Sequence, residues 1–167
     1  MKTTFVESEM TFEFDSDNLY RIEKSPRVMR LQSFKPCECV VRSGKFIDLI
    51  EAKTNAPNPN IKENQQNIDL FYNEIEQKFI DTLMFTTGIT TKRNIDESCP
   101  PSISNVTLST IKYRFYIILK NVETKFLPEQ QSLCKKKLKH MTKAWAIDDY
   151  CIKVLNEEEA RNQRLIK

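Results

Sequence analysis

Residues 38–53, ECVVRSGKFIDLIEAK, decide how this chain is read. The runs 37–42 and 45–53 are rich in β-branched and apolar side chains, and Ser43-Gly44 stands between them. A short Gly-containing connection between two such runs is a hairpin signal, because Gly accepts the positive φ that tight hairpin turns need. The pairing then sets Arg42 opposite Lys45, Val40 opposite Ile47 and Glu38 opposite Leu49. Side chains alternate along a strand, so Ile47, Leu49, Glu51 and Lys53 share one face. Glu38 falls on that face, one diagonal step from Glu51, about 7 Å or less between Cβ atoms. A four-residue loop keeps this parity, whereas a one-residue slip destroys it. Two carboxylates and an ammonium on an apolar hairpin face are expensive to bury unless they pair or bind a cation. Oxygen ligands suit Mg²⁺ or Mn²⁺. The plainer alternative makes Glu51 and Lys53 strand-end charges reaching solvent, with Glu38 on an exposed edge.

An acid, a β-turn, then apolar-apolar-Glu-x-Lys at a strand end resembles the PD-(D/E)xK nuclease superfamily, the restriction-endonuclease-like fold. In that family the first acid and the Glu of the triplet hold a divalent metal, and the Lys positions or activates the attacking water. The resemblance implies catalytic roles for Glu38, Glu51 and Lys53, and a metal held by Glu23, Glu38, Glu51 and the Ala52 carbonyl. Glu23, in LYRIEKSP at 19–26, is the acid that a helix before the hairpin supplies in the family. An ordinary solvent-facing helix-end acid is the equal alternative. The chain departs from the family's pattern in one respect: the first acid is Glu, and Cys37 separates it from Pro36. Two further acid-x-Lys triplets exist, Glu76-Gln77-Lys78 inside a helical pattern and Glu123-Thr124-Lys125 with no hairpin acid before it. The blocks IEKS (22–25), IEAK (50–53) and VLNE (154–157) also resemble a family of prokaryotic proteins that carries them.

Composition narrows the classes. At 167 residues, 40% hydrophobic and 29% charged, the chain fits one globular domain with a real core, over residues 1–167. Its only glycines are Gly44 and Gly88, which excludes Gly-rich phosphate loops and with them Rossmann and P-loop nucleotide binding. A net charge of +3 permits nucleic-acid binding without demanding it. Five cysteines, with no CxxC pair, read as free, mostly buried thiols of a reducing cytoplasm. The start, MKTTFVESEM, has no apolar stretch, and no run approaches a membrane span. His140 is the only histidine, so any Ser-His or Cys-His mechanism rests on a residue in a Lys-rich, surface-type helix.

Along the chain, residues 3–14 alternate loosely as one or two short strands. A short helix over 17–24 ends at Ser25-Pro26, because the residue before Pro avoids the α region. After the hairpin, the Pro- and Asn-rich 54–60 is a loop beside the candidate site. A long helix over 63–86 carries the stripe Ile68, Phe71, Tyr72, Ile75, Phe79, Leu83 and Met84, stops at Gly88, and turns Glu74, Glu76 and Lys78 to solvent. A polar loop spans 89–110. Tyr113–Lys120 is a strand buried on both sides. Pro128 opens a helix to about residue 142. That helix holds the one dense basic cluster, in which Lys135, Lys136, Lys137 and Lys139 either grip a phosphate backbone or form an exposed face. A strand at 150–155 leads to a last helix with Asn156 as N-cap and Glu157–Glu159 in its first turn. Alternating strands and helices give an α/β (α+β) class: a mixed central sheet with the motif hairpin, covered on both faces. This matches the αβββαβ order of the nuclease core.

Two functions follow from the resemblance. One is a Mg²⁺- or Mn²⁺-dependent nuclease, endo or exo, acting on DNA, with RNA not separable. The other is a nuclease-like module that no longer cleaves and serves a larger complex. Partners are nucleic acid and a homodimer mate or other protein subunits, with no membrane.

Overall fold

The computed structural model describes residues 1–167. Strands β1 (Lys2–Glu7) and β2 (Met10–Asp15) form a separate two-stranded hairpin. The main sheet contains β3 (Leu19–Tyr20), β4 (Cys39–Ser43), β5 (Phe46–Lys53), β6 (Lys112–Leu119) and β7 (Ile152–Asn156), adjacent in that order. The β3–β4 and β4–β5 pairs are antiparallel, and β5–β6 and β6–β7 are parallel. Parallel neighbours need a crossover. Helix α1 (Gln65–Thr90) and the short α2 (Pro101–Ser104) supply the first, α3 (Leu127–Ala144) the second, and α4 (Glu157–Asn162) follows β7. The chain is thus an α+β fold with a mixed five-stranded sheet flanked by helices. No helix is long and apolar enough to cross a membrane.

Each face of the sheet buries its own apolar cluster. On one, Val40, Ile47, Leu49, Phe115 and Ile117 meet Ile68, Tyr72, Ile75, Phe79 and Leu83 of α1 and Cys134 and Leu138 of α3. Phe79 stacks on Phe115 with ring centroids 4.6 Å apart. On the other, Cys39, Val41, Ile50, Ala52, Tyr116 and Ile118 meet Met10 and Phe12 of the N-terminal hairpin and Ala160, Leu165 and Ile166 at the chain's end. Strand β6 feeds both clusters, as its near-continuous apolar run requires. All five cysteines are free and buried.

Several expectations change. The hairpin register is Val40 with Leu49 and Ser43 with Phe46, so the loop is Gly44-Lys45, with Gly44 at φ +58°. Moving the turn by one residue shifts each partner by two, so the face parity survives. The hairpin also lies inside the sheet, because β3 pairs Leu19 with Val41 and Tyr20 with Val40. That pairing replaces the helix expected at 17–24. Leu19 joins one cluster while Tyr20 and Ile22 join the other. A lone eight-residue helix is too short to compete with such burial. Ile22–Lys24 remains as one 3-10 turn. Helix α1 runs through Gly88 to Thr90, and Gly88 keeps a negative φ. The loop at 89–110 includes α2, opened by Pro101 at its first turn.

Candidate metal centre

Strand alternation carries Glu51 and Lys53 to the α1 side of the sheet, at the C-terminal end of β5. Glu38 stands one residue before β4, its backbone N–H donating to Ile50 O at 3.0 Å. Glu51 is 0% exposed and Glu38 is 6% exposed. Lys53 Nζ lies 3.3 Å from Glu51 Oε1 and 2.7 Å from Glu74 Oε1. The three residues expected to converge therefore do so.

A fourth joins them. Lys78 of α1 was expected on the solvated face, but its Nζ sits 2.8 Å from Glu51 Oε1 and 3.4 Å from Glu38 Oε1. The Lys78–Glu51 contact is an ion pair outside hydrogen-bond geometry, and neither Glu51 oxygen nor Glu38 Oε2 has a hydrogen-bond partner. Lys78 thus serves the site rather than solvent, while Glu74 stays exposed, as expected, and touches the site through Lys53. The signal was available: Lys78 falls three residues after Ile75 and seven after Phe71, on the flank of the apolar stripe.

The opposite side of Glu38 is also acidic. Carboxylate oxygens of Glu7, Glu23 and Glu38 lie within 4.8 Å of one another. Glu23 comes from the 3-10 turn and Glu7 from the last residue of β1. Sequence reading placed Glu23 here and missed Glu7. The signal for Glu7 was parity, since Thr3, Phe5 and Glu7 form the inward face of β1. Arg21 lies over the Phe5 ring at 3.6 Å, with its guanidinium 2.8 Å from Glu23 and 3.8 Å from Glu7. Lys24 reaches Glu23 at 3.2 Å. The Ala52 carbonyl, expected as a metal ligand, accepts a hydrogen bond from Ser8 Oγ at 2.9 Å. Ser8 and Glu9 form the β1–β2 turn, both with positive φ, and Glu9 pairs with Lys120 at 2.8 Å.

The electrostatics follow from burial. Desolvation first, then the charge of Glu51, pushes the Glu38 carboxyl up to about 8. Burial also raises Glu51, against the pull of Lys78 and Lys53. For Lys78, burial works downward, but the charges of Glu51 and Glu38 outweigh it and hold the ammonium above its usual range. In Glu23, burial works upward, but the contacts with Glu38, Arg21 and Lys24 outweigh it, and the carboxyl stays low. Five acids, Glu7, Glu23, Glu38, Glu51 and Glu74, face four cations, Arg21, Lys24, Lys53 and Lys78. One negative charge is left over, for a proton or a further cation.

The basic cluster of α3 does not meet this centre by any ion pair. Lys137 pairs with Glu76 at 3.5 Å. Lys136, Lys139 and His140 are exposed, and Lys135 is half-buried. Buried Asp48, on the other face of β5, is closed by a two-point contact with Arg114 at 2.6 and 2.8 Å. It is a satisfied structural pair rather than part of the centre. No family model matches the chain, and no curated protein and no solved structure is found to be similar to it.

Proposed function

We propose that Glu38, Glu51 and Lys53 form the centre of a divalent-metal-dependent nuclease that hydrolyses phosphodiester bonds, with DNA as the expected substrate. The observation that carries this reading is Glu51: a wholly buried carboxylate with no hydrogen-bond partner on either oxygen, beside a second buried acid, Glu38, and two lysines. Burying a carboxylate costs several kcal/mol even when it is paired, roughly, and apolar residues of similar volume are often as stable. A ligand role accounts for that expense. The donor set also fits the metal: Glu38 Oε2 and Glu51 Oε2 are unpartnered oxygens, and Ala52 O accepts from the Ser8 hydroxyl. All-oxygen donors suit Mg²⁺ or Mn²⁺.

A cation bound there supplies positive charge against a phosphate oxygen and acidifies a bound water. The chain's own groups divide the remaining work. Glu38 and Glu51 fix the position. Lys53, a quarter exposed and linked to Glu51, orients the attacking water and offsets charge developing on the phosphate. Lys78 holds the two carboxylates together. The order β3, β4, β5, α1, β6, with the motif on β5, supports membership of the restriction-endonuclease-like fold.

The test is titration calorimetry with Mn²⁺ on the wild type and Glu51→Gln, with plasmid nicking under the same conditions. Wild-type binding and nicking, with binding at least tenfold weaker and nicking lost in the variant, are expected. Lys53→Ala should keep the metal and lose about 10²-fold or more in nicking. A wild type that neither binds nor nicks overturns the reading. A second reading, a non-cleaving nuclease-like module within a larger complex, is favoured by one observation. Lys78 and the Ser8 hydroxyl already contact two of the candidate ligand atoms, Glu51 Oε1 and Ala52 O. Mn²⁺ binding without nicking of DNA or RNA selects it.

A further inference from the structure

We infer that the cavity beside the β4–β5 turn binds a phosphomonoester, a small molecule with a terminal phosphate, and that Arg42 is its anchoring cation. This site uses no residue of the proposed nuclease centre and does not depend on that reading. The two lie at opposite ends of β5, Phe46–Lys53, whose steps of about 3.3 Å per residue span roughly 23 Å.

The first argument is an unpartnered cation. Arg42 stands near the end of β4, opposite Ile47. It enters no ion pair. Its Nη1 is closed off from solvent and has no hydrogen-bond partner. A buried donor left unsatisfied costs about 1–3 kcal/mol, and more when it is charged. Asp48 of the neighbouring strand is on the other face of the sheet and is taken by Arg114.

The second argument is the wall around it. Arg42 lines an open cavity of about 600 Å³ with Asn18, Ser102, Asn105, Thr107 and Thr110, and no carboxylate lines it. An anion therefore meets hydroxyls, amides and a guanidinium without a competing negative charge. Behind Asn105, Lys92 Nζ donates to Asn105 Oδ1 at 2.6 Å and to Ser104 O at 3.1 Å. That contact engages the amide oxygen of Asn105 and leaves its NH₂ as a donor. The Ser102 hydroxyl donates to Asp17 O at 2.6 Å, and the Thr110 hydroxyl to Thr107 O at 3.1 Å. These bonds tie the wall to the backbone before a ligand arrives.

The third argument is the fit of the group. A carboxylate has two oxygens, and one Arg fork satisfies both. A terminal phosphate has three strong acceptor oxygens and uses the amides and hydroxyls as well. Binding a nucleic-acid backbone draws on several cations along the strand, whereas Arg42 is the single cation in this wall. The volume is that of a small-molecule site and leaves room for an organic group behind the phosphate.

The experiment uses inorganic phosphate and AMP as probes on the full chain, in NMR titrations of wild type, Arg42→Gln, Thr107→Val and Glu51→Gln. Divalent metal is chelated throughout, so that no ion at the nuclease centre holds phosphate. Both probes should bind the wild type and shift the amides of Arg42, Asn105 and Thr107. Arg42→Gln should bind at least tenfold more weakly, and Glu51→Gln should bind as the wild type does. Thr107 is exposed, so Thr107→Val keeps the fold and should weaken binding about threefold, which reports on the cavity even if Arg42→Gln unfolds. A wild type that binds neither probe overturns the proposal, and so does wild-type affinity in Arg42→Gln. Acetate that competes as well as phosphate overturns it in favour of a carboxylate site. Binding of duplex DNA but of neither probe overturns it in favour of a backbone groove.

Discussion

Lys78 is the residue on which the buried charge turns. It places one ammonium against two carboxylates that have little water around them. Removing one partner of a buried pair costs about 3–5 kcal/mol, because the remaining charge is stranded. Lys78→Met should therefore lower stability by that amount in urea unfolding, and the double variant Lys78→Met/Glu51→Gln should recover a large part of it. A Lys78→Met loss below about 1 kcal/mol would mean that the ammonium is not carrying the pair. Glu38 gives a pH signature. Its folded carboxyl titrates at about 8 against an ordinary 4.5, so between those values the folded chain keeps a proton that the unfolded chain has released. Stability from this group is full below the ordinary value and falls as pH rises through the window, by about 1.4 kcal/mol per unit at most. Acids held low, such as Glu74, act below that window. With metal chelated, the urea midpoint should drop from pH 5 to pH 8, and Glu38→Gln should flatten the drop. Glu38, Glu51 and Lys53 were legible because strand parity survives a shifted turn. Glu7 and Lys78 were missed: local periodicity placed each on an inward flank, but each meets the site from a distant element whose docking no local pattern states.

At the scale of elements, the best-read helix end is the start of α4. Asn156 Oδ1 accepts the Glu159 N–H at 3.0 Å, and three acids fill the first turn. Such a cap is worth about 1 kcal/mol. Asn156→Ala should lose that much, plus the Asn156 Nδ2 bond to Thr124 Oγ1 at 3.0 Å. Asn156→Asp should keep the cap and lose less. Equal losses in thermal unfolding would place the weight on the Thr124 contact instead. The capping rule worked here because its partners lie within three residues. It failed at Gly88, where the C-terminal end of α1 is set by further packing. Ile89 remains in the core beyond the expected stop. The helix expected at residues 17–24 gave way as well, because pairing with β4 buries Leu19 and Tyr20. Long apolar runs were read reliably, since β6 and α1 bury too much surface to be anything else.

At the scale of the molecule, one sheet separates two apolar clusters of unequal size, 28 buried residues on the helix side and 13 on the hairpin side. The smaller cluster is closed by the two ends of the chain. Phe12 pairs with Ile166, and the Lys167 N–H donates to Thr11 O at 2.8 Å. The N-terminal hairpin has no hydrogen-bonded ladder to the main sheet, so its attachment rests on this cluster and a few polar anchors. Ile166→Ala removes a side chain that is 6% exposed and should cost about 2–4 kcal/mol. Because regions with fewer buried contacts open first, the loss should appear locally. In native-state hydrogen exchange, amides of the β1–β2 ladder should lose protection by about 30-fold or more, while Phe115 and Ile117 in β6 lose less. Equal loss in both would mean that the hairpin and the sheet open as one unit.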